Sequence, residues 1–281
     1  KKSNIAIASN EDHVYVSSQN LPGTLTVDDM EISGCTGPNS LSRAMTVVNT
    51  VGKMTDSTIK KCDAGMGIDN AAGLEFTVAD CLLKDNESFD NALGGGMTIN
   101  GGGELNMKTC KIVNCGGEYG GGVSCLGGSM LDLRQDCLLL NCYARFDGGG
   151  VFADDQGAGS MTVKLSSIQM KKCEAGDNGS GLYQDSGELQ FRKSKVNKGT
   201  CDTANVSGDG AVYLKRLPFG KLRKLTVTNN DSAHGTLGGV WLNVQGGVMT
   251  EIRIQDCTFN NNGGGNLYGP YLDKGGNNIG N

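Results

Sequence analysis

Apolar residues recur along the chain at two scales. Over short stretches they alternate with polar residues, as in Leu105/Met107, Leu131/Leu133 and Leu189/Phe191. Alternation over so few residues is typical of short β-strands with one buried face. Over longer stretches the same pattern returns about every 28 residues. The chain therefore predicts a repeat in which each unit contributes short strands that stack on those of the next unit.

Each unit carries an anchor, a cluster of small residues followed by an apolar residue, as in Gly120–Val123 and Gly148–Val151. The penultimate position of the anchor reads Ala44, Gly67, Gly96, Gly122, Gly150, Gly181, Ala211, Gly239 and Gly265. The intervals between these positions run from 23 to 31 residues. Such scatter suits a solenoid whose loops vary while its core does not. We expect the glycines to mark a positive φ or a close approach between coils.

A second signature comes before most anchors: an apolar residue, two variable residues and then Cys or Asn. This column contains Cys35, Cys62, Asn86, Cys115, Cys142, Cys173, Asn230 and Asn262. A further column lies five residues upstream and contains Cys81, Cys110, Cys137 and Cys257 among Met, Ser, Ile and Leu. Both columns are expected to stack inside the fold. Stacked Asn amides hydrogen-bond along a column, and Cys behaves as a small hydrophobe.

These features predict an all-β fold, a single-stranded parallel β-helix of about nine to ten coils. The prediction treats residues 1–281 as one domain, with a partial coil over 1–24, regular coils over 25–268 and a Gly- and Asn-rich tail over 269–281. Neither end shows a recognisable cap. Uncapped coils invite strand addition, so we expect a fragment of a longer rod or end-to-end self-association.

The repeat is similar to that of the chlamydial polymorphic membrane proteins and of related repeat proteins in some protists. Phe259–Asn262 with Gly263–Gly265, and Leu237–Val240, carry the resemblance most faithfully, and it covers about Ile32 to Leu267. It departs where Cys replaces the family's Asn and where Gly or Ser often replaces Ala in the turn. The resemblance implies a right-handed, pectin-lyase-like β-helix displayed at a cell surface and used in adhesion.

Composition narrows the classes of partner. The net charge of −5 argues against nucleic acid as the main partner, and no apolar run is long enough to predict a membrane span in this segment. The cysteines number 11, and Cys125 and Cys201 lie outside the two columns. Spacings near 28 residues match no zinc pattern. Buried free thiols and disulfides between coils both remain open, so cysteine usage leaves the redox compartment undecided.

One basic region stands out in this acidic chain, and it predicts binding of an anionic glycan or an acidic partner. Its residues are Arg192, Lys193, Lys195, Lys215, Arg216, Lys221, Arg223 and Lys224. Stacking of successive coils is expected to bring its two runs together on one flank. The alternative is a solvated face with no ligand.

Other candidates are weaker. Asp147, Asp154 and Asp155 flank one glycine turn, where they would bind Ca²⁺ or form a polar loop. A distant echo of polygalacturonase motifs, around Asn230 and His234, has the wrong spacing, and a solvated turn is the alternative. N-glycosylation is expected, if anywhere, at Asn178 and Asn205. We predict no catalytic residue and no cofactor.

The sequence thus favours a non-catalytic extracellular or surface β-helix that acts as a stalk, adhesin or filament component, with a protein or glycan partner. The alternative is a carbohydrate-active enzyme, a polysaccharide lyase or glycoside hydrolase of the pectin-lyase-like fold, which needs paired carboxylates or a Ca²⁺ site. A third hypothesis is that the protein is an intracellular scaffold. The expected location is secreted or cell-surface, with the cytoplasm left open.

Overall fold

The computed structural model describes residues 3–6, 14–17, 23–35, 43–88, 94–158, 160–202, 210–232, 237–244 and 251–280. Every element that it describes is a β-strand or a turn. All the pairs of strands are parallel, and each strand pairs with the strands one coil before and one coil after it. The predicted all-β parallel β-helix is therefore confirmed.

Each coil passes through three long sheets, which we call A, B and C. Sheet A consists of Ser3–Ala6, Met30–Ser33, Thr58–Lys60, Leu82–Lys84, Lys111–Val113, Leu138–Leu140, Gln169–Lys171, Lys195–Asn197, Thr226–Thr228, Thr258–Asn260 and Asn278–Ile279. Sheet B consists of Val14–Ser17, Arg43–Val48, Ala64–Asp69, Met97–Asn100, Val123–Leu126, Val151–Asp154, Leu182–Asp185, Val212–Lys215, Val240–Asn243 and Leu267–Tyr268. Sheet C consists of Gly23–Asp28, Thr50–Thr55, Glu75–Ala79, Glu104–Lys108, Met130–Arg134, Thr162–Ser166, Glu188–Arg192, Phe219–Arg223, Glu251–Gln255 and Leu272–Asp273.

A short sheet of two-residue strands lies between sheets A and B. It consists of Glu87–Ser88, Gly116–Gly117, Tyr143–Ala144, Glu174–Ala175, Thr200–Cys201 and Asp231–Ser232. Eight sheet A strands, from Met30–Ser33 to Thr226–Thr228, lie between Ser3–Ala6 and Thr258–Asn260, and Asn278–Ile279 is the last strand of the sheet. The number of regular turns is thus about eight, slightly fewer than the nine to ten expected.

Single residues with positive φ form the sharp corners of the coil. Asn141 (φ 52°) ends a sheet A strand directly before Cys142, and Asp80 (φ 54°) ends a sheet C strand directly before Cys81. Left-handed backbone turns the chain within one residue, and Asn and Asp tolerate it better than most residues. Because the corner residue is followed each time by an inward side chain, the two predicted columns begin where the chain turns.

All the column residues are buried, and the Asn side chains complete the backbone hydrogen bonding of the corners. Asn230 Oδ1 accepts from the Gly199 N–H at 2.9 Å, and its Nδ2 donates to Asn262 Oδ1 at 2.9 Å. Asn86 makes the corresponding contacts to Cys62 N and Ile59 O. A buried amide that satisfies backbone groups of the preceding coil holds the two coils in register.

The eleven cysteines are buried free thiols that form no disulfide with one another. They include Cys125 and Cys201, which lie outside the two columns of the repeat pattern. Burial raises the pKa of Cys115 and of Cys125 to about 12. These two thiols therefore stay protonated at neutral pH, as befits side chains that fill space in a core of Leu, Ile, Val, Met and Phe.

The glycine cluster serves both of its predicted purposes, at different positions. Gly120, Gly148 and Gly179, two residues before the column, have φ near 70°. In the column itself, a Cβ on Gly122 or Gly150 would lie 2.5 Å from a carbonyl oxygen of the next coil. Positive φ thus shapes the turn, and close approach packs one coil on the next.

Candidate functional site

The outer face of sheet B carries a row of aromatic side chains, one for each of five successive coils. We call this the aromatic row: Phe152, Tyr183, Tyr213, Trp241 and Tyr268. The first four each follow the inward apolar residue that ends an anchor, and Tyr268 follows Leu267, so strand alternation places all five outside the core. The in-register pairing of the strands then puts the five rings directly above one another.

The rings stack along the axis of the rod. Phe152 and Tyr183 have centroids 5.3 Å apart with planes 11° apart, and Tyr183 and Tyr213 have centroids 5.4 Å apart with planes 4° apart. The spacing widens to 6.3 Å between Tyr213 and Trp241. Stacked aromatic pairs add about 0.5–1.5 kcal/mol each beyond the area that they bury. The row therefore stabilises the stacking of coils on the outside of the solenoid.

The row becomes more exposed towards its C-terminal end. Tyr119, from the turn of the preceding coil, packs against Phe152, which is 6% exposed, and Phe146 packs against Tyr119. Trp241 is half-buried, and Tyr268 is 58% exposed. A large exposed aromatic surface beside covered rings is a common feature of ligand and partner sites.

A groove of about 640 Å³ runs beside this exposed end, and we call it the aromatic groove. Its lining includes Asn178, Tyr213, Lys215, Trp241, Asn243 and Tyr268. The side-chain amide of Asn243 donates to the hydroxyl of Tyr213. Among the described residues, the buried Oδ1 of Asn178 has no hydrogen-bond partner, although a buried acceptor normally has one. The groove thus combines ring surface with amide groups that can hydrogen-bond a ligand.

Charged groups beside the row are mostly paired with one another. Asp185 contacts Lys215 Nζ at 3.0 Å and Arg216 Nε at 2.6 Å. Burial acts to raise the pKa of Asp185, but the hydrogen bonds from Arg216 and Lys215 outweigh it and leave the pKa below its usual value. Because Asp185 pairs with Lys215, this lysine presents a reduced charge to a ligand in the groove.

Asp147 holds the turn that forms the opposite side of the groove. Its Oδ1 accepts from the backbone N–H of Asn178 at 2.9 Å and from Asn178 Nδ2 at 2.8 Å. Burial raises the pKa of Asp147 to about 6, against the lowering effect of these hydrogen bonds. This carboxyl therefore changes its charge just below neutral pH, at a contact between two successive coils.

The raised pKa of Asp147 predicts a pH dependence of stability. Between pH about 4 and 6 the folded protein keeps this proton and the unfolded chain does not, so the contribution of Asp147 to stability falls as pH rises through that window. We expect the free energy of unfolding of D147N, relative to that of the wild type, to increase by on the order of 1–2 kcal/mol from pH 4 to pH 7.5. Urea unfolding at both pH values measures this. D136N, at an exposed corner, controls for the loss of a charge; equal shifts for both variants would refute the assignment.

The structure distributes the predicted basic region over three places. Arg192 and Arg223 pair in register on the outer face of sheet C, and Lys193 and Lys224 follow them at the corner with sheet A. Lys221 lies on the same face of sheet C. Lys215 and Arg216 instead lie at the corner of sheets B and C with Asp185, and Lys195 lies on sheet A beside Thr226. Five of the eight residues thus lie on one flank, and the other three do not.

The calcium candidates are not brought together as a ligand set. Asp147 accepts from Asn178, Asp154 from Gln156 N and Asp155 from Gly157 N. Within the described residues, no group of three or more His, Cys, Asp or Glu is placed to hold a metal ion. Ca²⁺ binding there stays a prediction.

The remaining candidates are placed only in part. Asn178 is half-buried, and the nitrogen that would carry a glycan donates to Asp147; glycosylation there stays a prediction. Asn205 and His234 lie outside the described residues. Across those residues, the structure has no helix long and apolar enough to cross a membrane.

The aromatic row was missed by the sequence reasoning, although its signal is present. An aromatic residue directly follows the apolar end of the anchor in Val151-Phe152, Leu182-Tyr183, Val212-Tyr213 and Val240-Trp241. If the alignment of the repeats had been extended by one residue beyond the anchor, the aromatic column would have been visible. The exposure of its C-terminal end could not be predicted from the sequence, because the residue that covers the other end comes from the turn of another coil.

Comparison with known proteins agrees with this architecture. A family described as the right handed beta helix region matches residues 45–216, which is more than half of the chain. Neither a curated protein nor a solved structure matches it. The match gives the hand of the coil, which strand pattern alone does not. The parallel pairing, the inward columns and this match together place the chain in the right-handed β-helix family.

Proposed function

We propose that this chain is a non-catalytic binding rod of a secreted or cell-surface protein, and that the aromatic groove is where it holds its partner. The observation that carries the proposal is the aromatic row, which is stacked and covered at one end but open at Trp241 and Tyr268. Rings held by their neighbours lose little freedom on binding, so they contribute more of their contact energy to affinity.

The chemistry of the groove favours an uncharged partner with both apolar and hydroxyl or amide groups, such as a neutral glycan. Trp241 and Tyr268 supply apolar surface, and Asn178 and Asn243 supply hydrogen bonds. The similarity of the repeat to that of the polymorphic membrane proteins supports adhesion at a surface. A stiff solenoid would carry such a site away from its anchor.

The double variant W241A/Y268A tests this role. We expect it to weaken binding to the glycan that the wild type prefers, on an array of neutral and acidic glycans, by roughly tenfold or more, because truncated aromatic anchors typically cost over 1 kcal/mol each. Y143A, which removes a 40%-exposed tyrosine from the short sheet, is the matched control. Circular dichroism checks the fold. Equal binding by W241A/Y268A and the wild type would exclude the groove.

A carbohydrate-active enzyme is the second candidate, and one observation favours it. Two carboxylates near the row have pKa values moved in opposite directions, raised for Asp147 and lowered for Asp185, as acid and base pairs of glycosidases require. Both oxygens of Asp185 are held by Lys215 and Arg216, however, which opposes a role in proton transfer. Release of reducing ends or unsaturated products from any polysaccharide, lost in D147N, would establish this candidate and reject the first.

A further inference from the structure

A second, separate surface lies on the outer face of sheet C, where cations from successive coils form a line. We define the basic strip as Arg134, Lys164, Arg192, Lys193, Lys221, Arg223 and Lys224. In-register pairing carries the line from Arg134 through Ser166 to Arg192 and Arg223. Three coil spacings of about 4.8 Å make this line about 14 Å long.

The charges of the strip are largely unbalanced. Arg134 contacts Asp132 at 3.7 Å. Across the part of the chain that the structure describes, the other six make no ion pair with a carboxylate within 4.0 Å. Arg192, Lys193, Lys221, Arg223 and Lys224 are all exposed.

This arrangement costs stability in the absence of a ligand. Like charges placed directly opposite each other on neighbouring strands repel, and Arg192 and Arg223 occupy such a pair. The next residues repeat the arrangement, because Lys193 and Lys224 lie at equivalent corners one coil apart. The chain as a whole is acidic, with a net charge of −5, so general basicity does not explain the cluster.

The strip also borders a shallow groove suited to a chain of anionic groups. This groove has a volume of about 240 Å³ and includes Arg134, Lys164, Ser166, Gln190 and Arg192 in its lining. Guanidinium, ammonium, hydroxyl and amide donors therefore face one narrow surface, and Asp132, a carboxylate in the same lining, is paired with Arg134. Guanidinium groups bind planar carboxylates and other oxyanions with two parallel hydrogen bonds.

We infer that the basic strip binds a linear polyanionic glycan, one carrying sulfate or carboxylate groups at regular intervals. A flat, straight strip with one cation or more for each coil fits an extended polymer better than it fits the curved surface of a folded acidic protein. Among the described residues, no aromatic side chain lies between the cations of the strip, as binding of single-stranded nucleic acid normally requires. Phe219 lies at the other end of the strand that carries Lys221, and Arg253 covers its ring. The inference goes beyond the proposed function, since the site lies on a different sheet and takes a different class of ligand.

Heparin is the probe for the test, with uncharged dextran as the control competitor. We expect the wild type to bind heparin and an excess of dextran not to displace it. The affinity for heparin is expected to fall steeply between 50 and 500 mM NaCl, because the release of counterions favours binding less at high salt. R192Q/R223Q is expected to weaken heparin binding by roughly tenfold or more, because two charged hydrogen-bonding groups are lost. Both side chains point outward, so the core is left intact.

K111Q/K171Q is the matched control, since it removes the same charge from the outer face of sheet A. Its heparin affinity, like that of W241A/Y268A, is expected to stay near that of the wild type, which separates this site from the aromatic groove. Heparin binding that R192Q/R223Q leaves unchanged would overturn the inference. So would equal losses in both charge variants, or single-stranded DNA of equal charge that displaces heparin completely.

Discussion

Replacing Gly149 by valine is expected to destabilise the protein more than any other substitution considered. A Cβ at this position would overlap the carbonyl oxygen of Glu174 in the next coil and would lie 2.6 Å from the oxygen of Ser180. Both obstacles are backbone atoms held in the parallel ladder, so neither can move without separating two coils. We expect a loss of about 3 kcal/mol or more in the free energy of unfolding.

Urea unfolding followed by circular dichroism measures this loss. Gly157→Ala is the control, because the space around this glycine is open, although its φ is positive (83°), which that of Gly149 is not. That control bears only the backbone cost of a left-handed alanine, about 1 kcal/mol. If G149V and G157A unfolded at the same urea concentration, close approach would not be the reason for glycine at position 149.

Asn230→Ala is expected to have the second largest effect. The variant leaves the N–H of Gly199 without its 2.9 Å acceptor, the carbonyl of Val196 without its 3.3 Å donor and Asn262 Oδ1 without one of its donors. Each buried polar group that loses its partner costs about 1–3 kcal/mol. We therefore expect a loss of about 2–4 kcal/mol.

Cys173→Ala provides the comparison within the same column. The Sγ of Cys173 makes long contacts, at 3.7 Å to Leu139 O and 3.8 Å to Lys171 O, and its thiol hydrogen-bonds with that of Cys142. Its loss is expected to cost on the order of 1 kcal/mol, mainly through lost packing. Thermal and urea unfolding of both variants would test the difference. Similar losses in the two would show that Asn and Cys fill this column in the same way.

The repeat could be predicted from the sequence because its signals are local. Cys142, Asn86 and Gly150 each follow a strand of fixed phase, so the side of the strand on which they lie can be counted from residue to residue. Burial then follows from the size and polarity of the side chain. The number of regular turns was overestimated slightly, because partial coils at the ends carry the same pattern as complete ones.

The outward surfaces could be predicted less well. Lys215 and Lys221 are six residues apart but lie on different sheets, whereas Arg192 and Arg223 are 31 residues apart and are neighbours. Corners such as Arg216, with a φ of 53°, redirect the chain between Lys215 and Lys221. A cluster that looks continuous in sequence was therefore divided by one turn of the backbone.

By itself, then, the sequence determined the period of the coil, the strands and the residues that fill the interior, because each depends on alternation along a single segment. Only the tertiary structure decided which outward groups meet: the open end of the aromatic row, the contact of Asp147 with Asn178 and the line of cations on sheet C. These depend on residues about 30 positions apart being brought to a spacing of about 4.8 Å by parallel pairing. That register is set by the length of every intervening turn, which no local pattern specifies.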